Sequence, residues 1–186
     1  MNSFQELLRS IDWGSLTDAL LRVLGVFLCL TVHETCHGLA ALALGDPTAK
    51  REHRLSLNPL HHIDWFGLAA MLLVGFGWAK PVGVNPTYFK HPKRDMAITA
   101  LAGPVSNLIV ALISLIICNI FRYLLTGAVF FYFAIFFFYI ASINVSLAVF
   151  NLIPIPPLDG SRLLSALLPD RQYYALMRYE LSLIHI

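Results

Sequence analysis

Thr31-Val32-His33-Glu34-Thr35-Cys36-His37-Gly38 sets two histidines and a glutamate inside a stretch, residues 16–44, that is otherwise almost wholly apolar. A charged side chain at the centre of a bilayer helix costs roughly 2.5–3.5 kcal/mol on insertion scales, so an ionisable cluster there marks a functional site. On a helix, residues four apart share a face, and His33 and His37 can therefore aim two imidazole nitrogens at one metal ion. Glu34 stands beside the first of them. A carboxylate in that position can take a proton from water, the general-base part of an H-E-x-x-H pattern.

Composition decides the surroundings of this stretch. Of 186 residues, 58% are hydrophobic and 13% charged, and the mean hydropathy of +0.69 lies outside the range of soluble globular domains. The chain reads as a polytopic, all-α integral membrane protein of one compact domain, with no room for a separate soluble regulatory domain. A net charge of +2 implies no nucleic-acid partner, because the basic residues cluster in loops, as membrane orientation requires. Cys29, Cys36 and Cys118 all lie in apolar segments and read as small buried hydrophobes rather than a disulfide set. Cys36 lies inside the motif, but His33 and His37 have the better ligand spacing. No cleavable signal peptide is evident, and the first membrane helix serves as the insertion signal.

Taken in order, residues 1–15 read as an interfacial segment, with apolar groups at helical spacing over 4–13 ending in Trp13. Residues 16–44 form the first long span, stopped by Gly45-Asp46-Pro47. Charged residues with β-compatible flanks predict a short hairpin over 48–57, closed by Asn58-Pro59. The apolar run 66–79 is too short to cross a core that needs about 20 helical residues, so it is expected to be re-entrant or partly inserted. Basic residues flank it on both sides, Lys50, Arg51 and Arg54 before and Lys80, Lys90, Lys93 and Arg94 after, which places both flanks in the cytoplasm. Residues 77–86 are turn-rich and cannot be helical. A second span is expected over 96–125 and a third over 128–153, where Ser142, Asn144 and Ser146 read as helix-packing groups. Pro154, Pro156 and Pro157 then break the third span ahead of Asp159, and a further helix is expected over 161–168. Residues 16–168 are thus the core, followed by an amphipathic C-terminal segment, 169–186.

Two histidines leave a catalytic zinc site one protein ligand short. Asp95 falls in a basic stretch and Asp64 at an interface beside Trp65. Only Asp159 combines membrane burial with an irregular backbone that can turn its carboxylate inward. As a cap for the helix from Ser161 an aspartate is common, yet an uncharged Ser or Asn would serve without the cost of burying a charge. His53, His61, His62, His91 and His185 sit in loops or near the terminus and need no metal, although His62-Ile63-Asp64 could brace the site.

His33-Glu34-Thr35-Cys36-His37-Gly38, then Gly103-Pro104-Val105-Ser106-Asn107, then Asn151-Leu152-Ile153-Pro154-Ile155-Pro156-Pro157-Leu158-Asp159-Gly160 together closely resemble the site-2 protease family of intramembrane zinc metalloproteases. The resemblance covers 16–168 and is nearest to small prokaryotic members that lack extra regulatory domains. It implies one Zn²⁺ held by His33, His37 and Asp159, and Glu34 as catalytic base. It further implies that Asn107 and Asn151 support the site or the substrate backbone, and that 80–85 flanks the cleft. The substrate partner would be a transmembrane protein in the prokaryotic inner membrane, cut from the cytoplasmic side. Trp65 departs from the family, which often has proline there. Family members also usually continue with another hydrophobic segment beyond Tyr179, so the resemblance implies a truncated or non-native end over 169–186.

Substrate helices hide their backbone, so pairing of an unwound segment with an edge in 48–57 or 82–84 is the expected binding step. Rival readings are a membrane metal transporter or sensor, an inactive metal-binding scaffold, and a zinc hydrolase acting on prenylated tails. Glu34 argues against the scaffold, and Leu158-Asp159-Gly160 against the prenyl-tail enzyme.

Overall fold

The structure, a computed structural model, describes residues 13–74 and 78–169, with side chains from Val23 onward. The expected interfacial helix at 4–13 and the amphipathic stretch 172–186 lie essentially outside the described residues. Six α-helices are present among those described, α1 (Trp13–Ala43), α2 (Thr48–Arg51), α3 (Trp65–Val74), α4 (Pro92–Phe121), α5 (Gly127–Asn151) and α6 (Asp159–Leu167), with two single 3-10 turns at Pro59–His61 and Pro86–Tyr88. Three are long and apolar enough to cross a bilayer, at Val23–Ala43, Pro92–Phe121 and Gly127–Asn151. That agrees with the three expected spans.

The end of α1 is built by its sequence. Gly45 takes φ +107°, the Asp46 amide donates to the Ala41 carbonyl at 2.9 Å and that of Gly45 to Leu42 at 3.1 Å. This is the left-handed glycine stop that satisfies the last carbonyls of a helix. Asp46, fully buried, then accepts from the Thr48 amide and hydroxyl at 2.9 and 2.5 Å through one oxygen. Its other oxygen accepts from the Asn85 amide at 2.7 Å. One carboxylate therefore starts α2 and also ties residues 80–85 to the end of α1.

That geometry overturns the hairpin expected over 48–57. Asp46 and Pro47 initiate a helical turn, with Pro47 at φ −84° and the Glu52 amide returning to the Thr48 carbonyl at 3.0 Å. Ala49, fully buried, packs against Gly38 of α1. No strand occurs among the described residues, and the β-pairing present there is one isolated antiparallel bridge, Ile63 with Ala79. The bridge closes the ends of a segment whose interior is α3. Asp64 Oδ1 caps α3 by accepting from the Phe66 and Gly67 amides, each at 2.9 Å. Gly67 is required where it stands, since a Cβ there would lie 2.1 Å from the Trp78 carbonyl oxygen.

Residues 80–85 are non-helical, as expected, and form a strap across the first helix. The second span begins earlier than the sequence pattern suggests, at Pro92. Proline suits a first helical turn, and Asp95 Oδ2 accepts from the His91 amide at 3.0 Å. Asp95 is consequently buried in the first turn of α4 rather than placed in a basic loop. Pro104 lies within α4, which continues past it to Phe121.

Helix α4 is the centre of the bundle and packs on α1, α5 and α6. The contacts are made by small and weakly polar residues, Ala100, Gly103, Ser106, Ala111 and Ser114 on α4 with Ala141 and Ala148 on α5. Small residues let apolar helices approach in lipid, where no hydrophobic force drives them together. Asn144 Nδ2 donates to Cys29 Sγ at 2.9 Å and to the Ile140 carbonyl at 2.8 Å. It thus joins α5 to α1 as a packing group. After α5 the proline-rich stretch 152–158 turns the chain, and α6 starts at Asp159, two residues before the expected position.

Candidate metal centre

The i, i+4 spacing on α1 brings His33 Nε2 and His37 Nε2 to 3.0 Å from each other. The break after α5 returns Asp159, whose Oδ2 lies 3.1 Å from both nitrogens. The three donor atoms form a nearly equilateral triangle, buried at the histidines and half-buried at Asp159. Ligand atoms around a tetrahedral zinc with bonds of about 2.0–2.1 Å stand roughly 3.3 Å apart, so the donor set fits that ion in both chemistry and size. Asp159 is the first residue of α6, and its carboxylate is turned to the imidazoles. Burial works against its charge, but hydrogen bonds and charge interactions with His33 and His37 hold the carboxyl below the ordinary carboxylate range. Ionised is the form a ligand requires.

The outer nitrogen of each ring is also engaged. His37 Nδ1–H donates to the Thr99 carbonyl at 2.7 Å, which leaves Nε2 with a free lone pair. His33 Nδ1 lies 3.1 Å from Asn107 Nδ2. Asn107 is fully buried and its Oδ1 has no partner. Turning the amide by 180° pairs that oxygen with His33 Nδ1–H, since amide oxygen and nitrogen are nearly equal in size. Gly103, one turn before Asn107, makes room for both rings: a Cβ there would lie 2.3 Å from His37 Nε2 and 2.6 Å from His33 Cε1.

Glu34 points off the triangle, and its Oε2 accepts from the Val82 amide at 2.9 Å. The strap thus lies on the candidate base, and Asp46 holds its far end. Asn151, the last residue of α5, donates through Nδ2 to the Leu147 carbonyl at 3.0 Å. It makes no hydrogen bond to His33, Glu34, His37 or Asp159. His62 is fully buried and donates through Nε2 to the Ser56 carbonyl at 2.8 Å. Thr35 Oγ1 reaches the same carbonyl at 3.0 Å, so His62 braces the loop beside the motif. Cys36 takes no part in the ligand cluster.

A sequence profile described as Peptidase family M50 matches residues 125–180, which contain α5 and α6. A Bacillus subtilis (strain 168) protein named "Putative zinc metalloprotease YwhC" is 40% identical over 150 residues, covering 79% of this chain and 68% of the relative. The chain belongs to peptidase family M50. Rip2 of Mycolicibacterium smegmatis, with the same designation, is 31% identical over 146 residues, 76% of this chain and 54% of its own length. MJ0611 of Methanocaldococcus jannaschii, again so designated, is 42% identical over 65 residues, 35% of this chain and 31% of its own. No solved structure matches the chain. Membership of M50 together with three span-length helices makes this a multi-pass membrane protein of metalloprotease type.

Proposed function

We propose that this M50 chain is an intramembrane zinc metalloprotease that hydrolyses peptide bonds in or beside transmembrane segments of other proteins. The observation that carries the reading is the convergence of His33 Nε2, His37 Nε2 and Asp159 Oδ2 within 3.1 Å, on helices of membrane-spanning length and beside them. Three protein ligands leave a position open, as hydrolytic zinc sites do and structural ones do not. The names of the relatives point the same way.

His33, His37 and Asp159 hold the ion. A zinc ion there supplies Lewis acidity to a scissile carbonyl and makes water a usable nucleophile near neutral pH. Glu34 accepts the proton of the attacking water at its carboxylate and returns it to the leaving amine nitrogen. The Val82 amide keeps Glu34 oriented, and Thr99 and Asn107 keep both imidazoles presenting Nε2. Asn151, at the chain break that delivers Asp159, meets the substrate backbone. Of the two edges expected to receive an unwound substrate, the one over 48–57 opens as helix α2, so substrate pairs with the one at 82–84. The basic flanks support a site that faces the cytoplasm, in a prokaryotic inner membrane.

The test uses purified chain reconstituted with single-span membrane proteins. Cleavage stopped by a zinc chelator and restored by added zinc is expected. Cleavage indifferent to chelation would overturn the assignment.

A further inference from the structure

Away from the metal centre, an open groove of about 380 Å³ lies between the loop after α2 and the return from α3. Its cationic side is Arg54 and Lys80 with His53 and His61, and its apolar side is Leu60 and Ile63. Lys80 Nζ makes no hydrogen bond or ion pair with a described residue. Arg54 donates through Nη1 to the His61 carbonyl, and the rest of its five N–H donors have no partner among the described residues. Glu52, the acid of the groove, is drawn toward the strap: a Cβ at Gly83 would lie 3.0 Å from its Oε2. Nothing else in the lining carries negative charge.

Helix α3 springs from the same place, since Ile63 lines the groove and pairs with Ala79. Its ten residues reach about 15 Å, half the thickness of a bilayer core. Phe66, Leu72, Leu73 and Val74 are 61–84% exposed along it, and Trp65 at its first position is 74% exposed. A contiguous apolar surface of this kind belongs in acyl chains, with tryptophan at the headgroup level. The cationic groove at its root is therefore at headgroup depth. We propose that the groove binds the headgroup of an anionic phospholipid, its phosphate between Arg54 and Lys80 and its acyl chains along α3. An anionic lipid fits better than a zwitterionic one, because Glu52 is turned aside and no other acid waits for an ammonium. The bound lipid steadies the strap as well, since the Lys80 amide is tied to the His62 carbonyl at 2.8 Å and Val82 lies on Glu34. The inference rests on the membrane-spanning character of the chain and stands whether or not it is a peptidase.

Binding is read by native mass spectrometry of the full chain in neutral detergent, titrated with phosphatidylglycerol, phosphatidylcholine or glycerol 3-phosphate. Wild type should prefer phosphatidylglycerol to phosphatidylcholine. Lys80→Gln should weaken phosphatidylglycerol about five-fold, and Arg54→Ala with Lys80→Gln roughly 25-fold, as expected for one basic residue each at an anionic headgroup. Phosphatidylcholine should be unaffected. Helix content by circular dichroism checks that the double variant is folded; if it is not, Lys80→Gln decides, because its ammonium has no partner to lose among the described residues. Equal binding of the two lipids by wild type, or undiminished phosphatidylglycerol binding by Lys80→Gln, overturns the proposal. Glycerol 3-phosphate binding as tightly as the lipid also overturns it, in favour of a free-anion site.

Discussion

Glu34→Gln leaves zinc bound and lowers peptide-bond cleavage by about 10²- to 10⁴-fold, the usual contribution of a positioned general base. The substitution is nearly isosteric, and a glutamine oxygen can still accept the Val82 amide hydrogen that Glu34 Oε2 accepts at 2.9 Å. The strap, the helix and the three ligand atoms are therefore undisturbed. What is lost is the capacity to take a proton. Zinc per chain, measured by elemental mass spectrometry, should stay at the wild-type value while turnover collapses. If turnover survives, Glu34 is not the base; if zinc is lost with it, Glu34 belongs among the ligands and the triangle has been misjudged.

Asp159→Ala is expected to remove zinc as well as activity. Its Oδ2 is one corner of a triangle with sides of 3.0–3.1 Å, and two imidazoles alone are a weak site. The loss of affinity should exceed the roughly 10- to 100-fold that follows removal of a supporting partner. Asn107→Ala provides that comparison: it strips the partner of His33 Nδ1 and should weaken zinc within that range. Asn151→Ala should leave zinc unchanged and lower turnover, since Asn151 does not touch the ligands. A helix-capping role for Asp159 predicts another pattern, a loss of about 0.5–2 kcal/mol of helix stability with zinc retained. The position of its Oδ2, 3.1 Å from both imidazoles, stands against it. Zinc titration of the three variants orders them, and an Asp159→Ala protein that binds zinc like wild type would remove that residue from the centre.

Much of this site was readable because helical periodicity fixes which residues share a face. His33 and His37 needed only their spacing. Asp159 needed the reasoning that an acid following a broken membrane helix has a use. Asn107 was visible as a supporting residue through the motif it shares with Gly103, but the purpose of Gly103 was not, because close approach to two imidazoles is a matter of packing between α1 and α4. Thr99 escaped altogether, and Val82 was named only within a substrate edge, not as the partner of Glu34. They act through a backbone carbonyl and a backbone amide, which every residue carries and no side chain advertises. The hairpin expected over 48–57 failed for a local reason: Asp46, buried with both carboxylate oxygens engaged, starts a helical turn where β-compatible flanks alone suggested strand. The early start of α4 has a similar origin in Pro92 and the bond from the His91 amide to Asp95. In both cases a single capping carboxylate outweighed the hydrophobic pattern.

The central claim is that these residues cut a peptide bond at membrane depth. Its most direct test is the mass of the fragments released when a single-span protein is co-reconstituted in liposomes with the wild-type chain or with Glu34→Gln. A cut within or beside the apolar segment is expected with wild type, and an intact substrate with Glu34→Gln. The same fragments from both proteins, or cuts confined to soluble regions far from the bilayer, would contradict it.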